Sequence, residues 1–255
     1  MHNNKVNGLL FLVKDVALLA FQKLSELHKK NLFTHSYSKD IPREMKAIVD
    51  NIIEDVIINR LKEARLPILS EENGNIDGDT SSELRFIVDP IDGTVNFIRG
   101  LAPSTISIAL YKGNEPLFGV LVVYPSGDMV WGGKGMGAFI NNQPIEVSKI
   151  FDLSESVLCT GIPSRFDFDD SSAYVDFYKS FASYGKIRML GSASNSLLQV
   201  AKGSAEVYSE IEIMLWDVAA GLAIVEGAGG FTLISPGKSL YSLNVYVSNG
   251  VVDRV

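Results

Sequence analysis

The sequence is poor in the residues that build cross-links and soft-metal sites. Among 255 residues it has one cysteine, Cys159, three histidines (His2, His28 and His35) and two tryptophans. A single cysteine excludes an internal disulfide and suits a reducing compartment, so a cytoplasmic location is expected. So few sulfur and imidazole ligands argue against a structural zinc site. Any bound metal would be held by oxygen. Positive charge is also short: 23 Lys and Arg stand against 30 Asp and Glu, a formal net charge of -7. An acidic chain lacks the attraction that drives association with nucleic acid, so no nucleic-acid partner is expected. Internal repeats and low-complexity tracts are absent.

The composition that remains is that of a globular protein, with 46% hydrophobic and 21% charged residues. The apolar stretch 6–27 is broken by Lys14, Asp15, Gln22 and Lys23. It therefore reads as neither a signal peptide nor a membrane span, and no membrane partner is expected. Leu9, Leu12, Val13, Val16, Leu19, Ala20, Leu24 and Leu27 recur at helical spacing, which predicts an amphipathic helix lying on the core. A second helix is predicted over 42–64. It starts at Pro42 and Glu44 and carries Met45, Ile48, Val49, Ile52, Ile53, Val56, Ile57 and Leu61 at apolar spacing.

Short apolar runs predict strands at 66–69, 84–88, 104–111, 117–124, 129–132 and 138–140, with turns at Gly113-Asn114 and Ser126-Gly127. Residues 73–82 read as a polar loop. Beyond a boundary near 141–155 the pattern changes. Strands at 157–160, 187–190, 205–209 and 231–234 alternate with helices at 172–184, 193–201 and 216–226, an α/β arrangement with crossovers. Two parts follow: residues 1–145 as an α+β unit and 146–255 as an α/β unit.

The chemistry gathers around acidic residues at strand ends. Asp89 and Asp92 close a predicted strand with Pro90 between them and Gly93-Thr94 after. Carboxylates this close repel and need cations or protons to offset the repulsion. Glycine lets the backbone approach a ligand, and a helix starting there would aim free N–H groups at an anion. The segment reads either as a metal site with a phosphate cradle or as an acidic turn with a helix cap. Glu71-Glu72 ends the preceding strand, as a third carboxylate at the same sheet edge or as a surface pair. Three carboxylates suffice for two cations, which can activate water and stabilise a leaving oxygen. Asp217 opens the 216–226 helix, as a further ligand or as an N-cap.

Together these segments resemble the inositol monophosphatase family, the magnesium-dependent, lithium-sensitive phosphatases. One family motif is Phe86-Ile87-Val88-Asp89-Pro90-Ile91-Asp92-Gly93-Thr94-Val95-Asn96-Phe97. The other is Trp216-Asp217-Val218-Ala219-Ala220-Gly221 through Glu226-Gly227-Ala228-Gly229-Gly230, with Ser70-Glu71-Glu72 ahead of the first. The resemblance runs over 40–235.

It implies a five-layered αβαβα sandwich of the sugar-phosphatase type and a homodimer. It also implies hydrolysis of a small phosphorylated substrate by water, with two or three magnesium ions, or manganese in their place. Glu71, Asp89 and the Ile91 carbonyl would hold one ion; Asp89, Asp92 and Asp217 would hold the second. Glu71, Thr94 and Asp50 would be catalytic, with the Thr94 hydroxyl positioning the attacking water. Gly93 and Thr94 would bind phosphate, and Gly191, Ser192, Ala193, Glu210 and Asp217 would face the rest of the substrate.

The leading substrate is an inositol monophosphate. Fructose 1,6-bisphosphate and 3'-phosphoadenosine 5'-phosphate are the rivals, for which Arg165, Lys186 and Arg188 are candidate basic contacts. A regulatory binding protein retaining the phosphatase fold is the reading from another class. One departure stands out. Asp50 matches a family Asp near the attacking water, but Lys46 and Ala47 stand where the family has a Thr shortly before it.

Overall fold

The computed structural model describes residues 2–30, 35–37, 45–79, 81–101, 103–162, 169, 175, 177–179 and 181–252. The chain opens with helix α1, His2–Lys29. Its buried stripe is Leu9, Leu10, Val13, Val16, Ala17, Ala20, Leu24 and Leu27, an i, i+3/i+4 pattern. The expected face is thus slightly rotated: Leu10 and Ala17 join it, while Leu19 is 42% exposed.

The expected second helix starts later than Pro42. Met45–Ala47 is a strand, β2, which pairs antiparallel with β1, His35–Tyr37. Helix α2 then runs Ile48–Leu61, with a 3-10 turn over Lys62–Ala64. Strand pairing here overrides the helix-start signal of Pro42 and Glu44, which lie outside the described residues.

Eight strands form the first sheet: β3 Ile68–Ser70, β4 Gly74–Ile76, β5 Leu84–Asp92, β6 Ser104–Lys112, β7 Glu115–Tyr124, β8 Met129–Gly133, β9 Gly137–Ile140 and β10 Gln143–Ile145. Their order is β10-β9-β8-β7-β6-β5-β3-β4, antiparallel except for the parallel pair β3–β5. The central strands are covered on both faces, which explains their nearly continuous apolar runs. Phe86, Val88, Ile106, Ile108, Phe118 and Val120 pack under α1 and α2. Ile87, Ala109, Tyr111 and Leu121 face the other way. Each fully buried Val, Leu or Ile contributes about 1.5–3 kcal/mol.

That other face is covered by α4, Ala193–Ala201, and α5, Leu215–Gly227. A short helix, α3, Thr94–Arg99, precedes them in the chain. Every residue from Val218 to Val225 in α5 is buried, as a helix held between two sheets requires. The approach to β7 is so close that a Cβ on Gly119 would lie 2.2 Å from the Ala220 carbonyl oxygen.

The second sheet comprises β11 Val157–Thr160, β12 Lys186–Arg188, β13 Val207–Met214, β14 Phe231–Pro236 and β15 Ser242–Ser248, in the order β12-β11-β13-β15-β14. β11 is parallel to β12 and β13, and the remaining pairs are antiparallel. On its outer face Leu158 and Val207 pack with Phe181 and Tyr184, next to the helical residues 177–179. The layers are therefore helices, sheet, helices, sheet and helix, an αβαβα sandwich. No helix among the described residues is long and apolar enough to cross a membrane.

Candidate active site

Residues i and i+3 on a regular strand face opposite sides. Asp89 and Asp92 do not, because β5 carries a bulge between them: Asp89 pairs with Ser107 and Asp92 with Thr105. Three steps on β5 match two on β6, so both carboxylates come to the face covered by α4 and α5. Pro90 sits within the bulge, where its missing N–H breaks no ladder bond. The Ile91 N–H donates to Asp89 Oδ1 at 3.0 Å, closing the turn. Gly93 then takes a left-handed conformation, φ 85° and ψ 43°, as the N-cap of α3, a region that favours glycine. The Thr94 hydroxyl donates back to the Ile91 carbonyl at 3.1 Å.

Asp92 is held by the N-terminus of α4. Its Oδ2 accepts from the Ser192 hydroxyl at 2.6 Å, the Ser194 N–H at 2.7 Å and the Ser194 hydroxyl, and its Oδ1 accepts from the Ala193 N–H at 3.3 Å. The Ser194 hydroxyl also meets the Thr105 hydroxyl. Asn96 ties α3 to the chain ahead of α4 by donating to the Leu190 carbonyl at 2.7 Å. Gly93 and Gly191 lie against each other: a Cβ on Gly93 would come 3.0 Å from the Gly191 oxygen. Ser192 and Ala193, expected to face substrate, are thus engaged with Asp92. Ser194 and Asn96 were not anticipated, and small polar residues at a helix start are the signal that could have found them.

Glu71 reaches the same place from β3. The parallel register pairs Ser70 with Val88, so the next residue of each strand, Glu71 and Asp89, stand together. Asp50 on α2 is buried and close enough to Glu71 to raise its pKa. Asp217 arrives from α5. It occupies the third helical position rather than the N-cap, which is Met214, and its Oδ2 accepts from the Met214 N–H at 3.2 Å. The helix-terminal role and the place in the cluster therefore coexist. Glu210 on β13 accepts from the buried Tyr208 hydroxyl at 3.0 Å.

One carboxylate oxygen from each of Asp89, Asp92 and Asp217 lies within 4.8 Å of the other two; Glu71 flanks this group. Burial, then mutual repulsion, pushes the carboxyls of Glu71, Asp89 and Asp217 well above the ordinary range. Asp92 is raised by burial against the opposing pull of its Ser192 and Ser194 hydrogen bonds. Burial also pushes Glu210 up to about 7. Among the described residues, no N–H or hydroxyl reaches the buried Asp89 Oδ2. A buried acceptor with no donor, inside a set of all-oxygen ligands, fits a hard cation. The cluster can therefore hold a metal ion.

Of the three candidate basic contacts for a bisphosphate, two are described. Lys186 and Arg188 are exposed on the edge strand β12, and Arg165 lies outside the described residues. Lys46 and Ala47 fall in β2, where only the backbone is described.

A carboxylate cluster at this position in a five-layered sandwich defines a class, the metal-dependent phosphoric monoester hydrolases. Within it, the chain belongs to the inositol monophosphatase family, whose sequence profile matches residues 9–252. It is 39% identical to the chloroplastic phosphatase IMPL1 of Arabidopsis thaliana across 72% of this chain, a match that spans 52% of that longer protein. It is 33% identical to a fructose-1,6-bisphosphatase/inositol-1-monophosphatase of Aquifex aeolicus, covering 87% of this chain and 84% of that protein. The crystal structure of the extragenic suppressor protein suhB from Bartonella henselae superposes with a TM-score of 0.83 at 29% identity, covering 95% of this chain and 94% of that one.

Proposed function

We propose that this chain is a magnesium-dependent phosphomonoesterase acting on a small polyol phosphate, inositol monophosphate foremost. The observation that carries this reading is the convergence of Asp89, Asp92 and Asp217 within 4.8 Å. Asp89, Asp92, Asp217, Glu71 and the Ile91 carbonyl would hold the magnesium. Bound there, such ions supply Lewis acidity toward water and toward the departing alkoxide.

The residues of the chain divide the remaining work. Glu71, with Asp50 beside it, would take the proton of the attacking water. Thr94 orients that water through its hydroxyl, whose other engagement is the Ile91 carbonyl. The N–H groups of Gly93 and Thr94 receive phosphate oxygens. Glu210 accepts hydroxyls of the polyol, held in place by Tyr208, and Gly191 would face the same part of the substrate. Lys186 and Arg188, the described candidates for a second phosphate, are exposed on the edge strand β12, which favours a monophosphate over fructose 1,6-bisphosphate or 3'-phosphoadenosine 5'-phosphate. The family resemblance extends the reading to a homodimer inhibited by lithium, and the lone buried Cys159 suits the cytoplasm.

The test is phosphate release from a panel of these three esters, with and without magnesium. Inositol 1-phosphate should be turned over fastest. Asp92→Asn should lose more than about 100-fold, since even indirect support of a metal ligand is worth about 10–100-fold. Release that needs no magnesium, or that survives in Asp92→Asn, would overturn the assignment. No release from any ester would favour the regulatory binding role.

A further inference from the structure

Helix α2 turns two carboxylates into the core, Asp50 and, one turn on, Glu54. Glu54 is 0% exposed and, among the described residues, forms no ion pair. Burying an unpaired carboxylate is costly unless hydrogen bonds replace its water. Here they do. Glu54 Oε1 accepts from the Glu72 N–H at 3.1 Å and the Asn73 N–H at 3.4 Å, and its Oε2 accepts from the Asn73 side-chain amide.

These donors belong to the three-residue turn 71–73 between β3 and β4. The remaining N–H of that turn, on Glu71, donates to the Val88 carbonyl of β5 at 3.2 Å. Every backbone N–H of the turn is therefore spoken for, one by the neighbouring strand and two by Glu54. A short turn with free amides would sample several conformations, and Glu71 would swing with it.

We propose that Glu54 is a positioning residue, clamping the turn so that the Glu71 carboxylate stays against Asp89. This inference rests on the reading of Glu71 as a magnesium ligand. A bonded neighbour of Glu71, rather than Glu71 itself, receives the clamp, so the effect is on geometry and not on the ligand count. Charge-assisted bonds to a carboxylate are about twice as strong as neutral ones, so Gln should hold the turn less well and Ala should release it.

Isothermal calorimetry of magnesium binding to the full chain tests this without reference to turnover. Glu54→Ala should weaken binding by about 10-fold or more, and Glu54→Gln by an intermediate amount. Ile57→Ala, on the same buried face one turn along, should lower the melting temperature while leaving the magnesium affinity of the folded protein at the wild-type value. Wild-type affinity in folded Glu54→Ala would overturn the clamp. If that variant does not fold, wild-type affinity in Glu54→Gln would do the same. Glu71→Gln separates the two levels. Unchanged binding there would overturn Glu71 as a ligand, whereas a loss there with none in the Glu54 variants would overturn the clamp alone.

Discussion

Asp92 shows how much a single carboxylate depends on its surroundings. Four donor contacts from Ser192, Ala193 and Ser194 fix its orientation, and Ser194 provides two of them. Ser194→Ala should leave the Thr105 hydroxyl short of a partner and remove one donor from Asp92. A stability loss of about 1–3 kcal/mol is expected in urea unfolding, together with weaker magnesium binding; a variant unchanged in both would contradict the role given to Ser194.

The raised carboxyls predict a pH dependence with a definite sign. A folded-state pKa above the unfolded value means that folding takes up protons. The associated stability is present below the ordinary carboxylate range and lost as pH rises through the raised values. For Glu210 that window runs from 4.5 to about 7. Magnesium binds the ionised carboxylates, so its stabilising effect should grow over the same rise. Melting of the metal-free protein should move down as pH rises from 4.5 through about 7. The upward shift on adding magnesium should be larger at the higher pH, and an equal shift at both would contradict the linkage.

At the scale of elements, the site depends on two departures from regular structure. The bulge in β5 turns Asp89 and Asp92 to one face, and Gly119 lets α5 seat against β7. Gly119→Ala would force backbone atoms apart to relieve a 2.2 Å approach to Ala220. A loss of about 1–3 kcal/mol or more is expected on denaturant unfolding, with weakened metal binding because Asp217 rides on α5. A variant of wild-type stability would show that the helix does not sit that close in solution.

The strands under this site were legible because both faces are buried, and apolar runs such as Phe86-Ile87-Val88 and Ile106 to Leu110 announce that directly. The bulge was not, since bulge geometry depends on the partner strand. Strand β15 was also missed, although it lies between β13 and β14. Its polar residues are used internally: the Ser242 hydroxyl donates to Glu212, and Asn244 Oδ1 accepts the Glu212 N–H. Strand β10 carries Pro144, which weakens a strand reading except at an edge, where β10 lies. In α2, Asp50 and Glu54 fell on the buried face, which spacing of apolar residues alone does not reveal.

At the scale of the molecule, the carboxylates come from separate elements: Glu71 from the end of β3, Asp89 and Asp92 from the end of β5, Asp217 from the start of α5. No local pattern brings them together; the parallel β3–β5 pair and the helix layer between the two sheets do. Their motifs were readable one by one, and Glu71, Asp89, Asp92 and Asp217 were singled out from their places at element ends. The network around them, Ser194, Asn96 and Glu54, belongs to contacts far apart in the chain. The claim common to all of this is that the space between Asp89, Asp92 and Asp217 is a cation site. A crystal of the protein grown with manganese, measured for anomalous scattering, addresses it directly. The expected result is an anomalous peak bounded by those three carboxylates. Manganese bound elsewhere and absent from that position, in protein that releases phosphate, would contradict it.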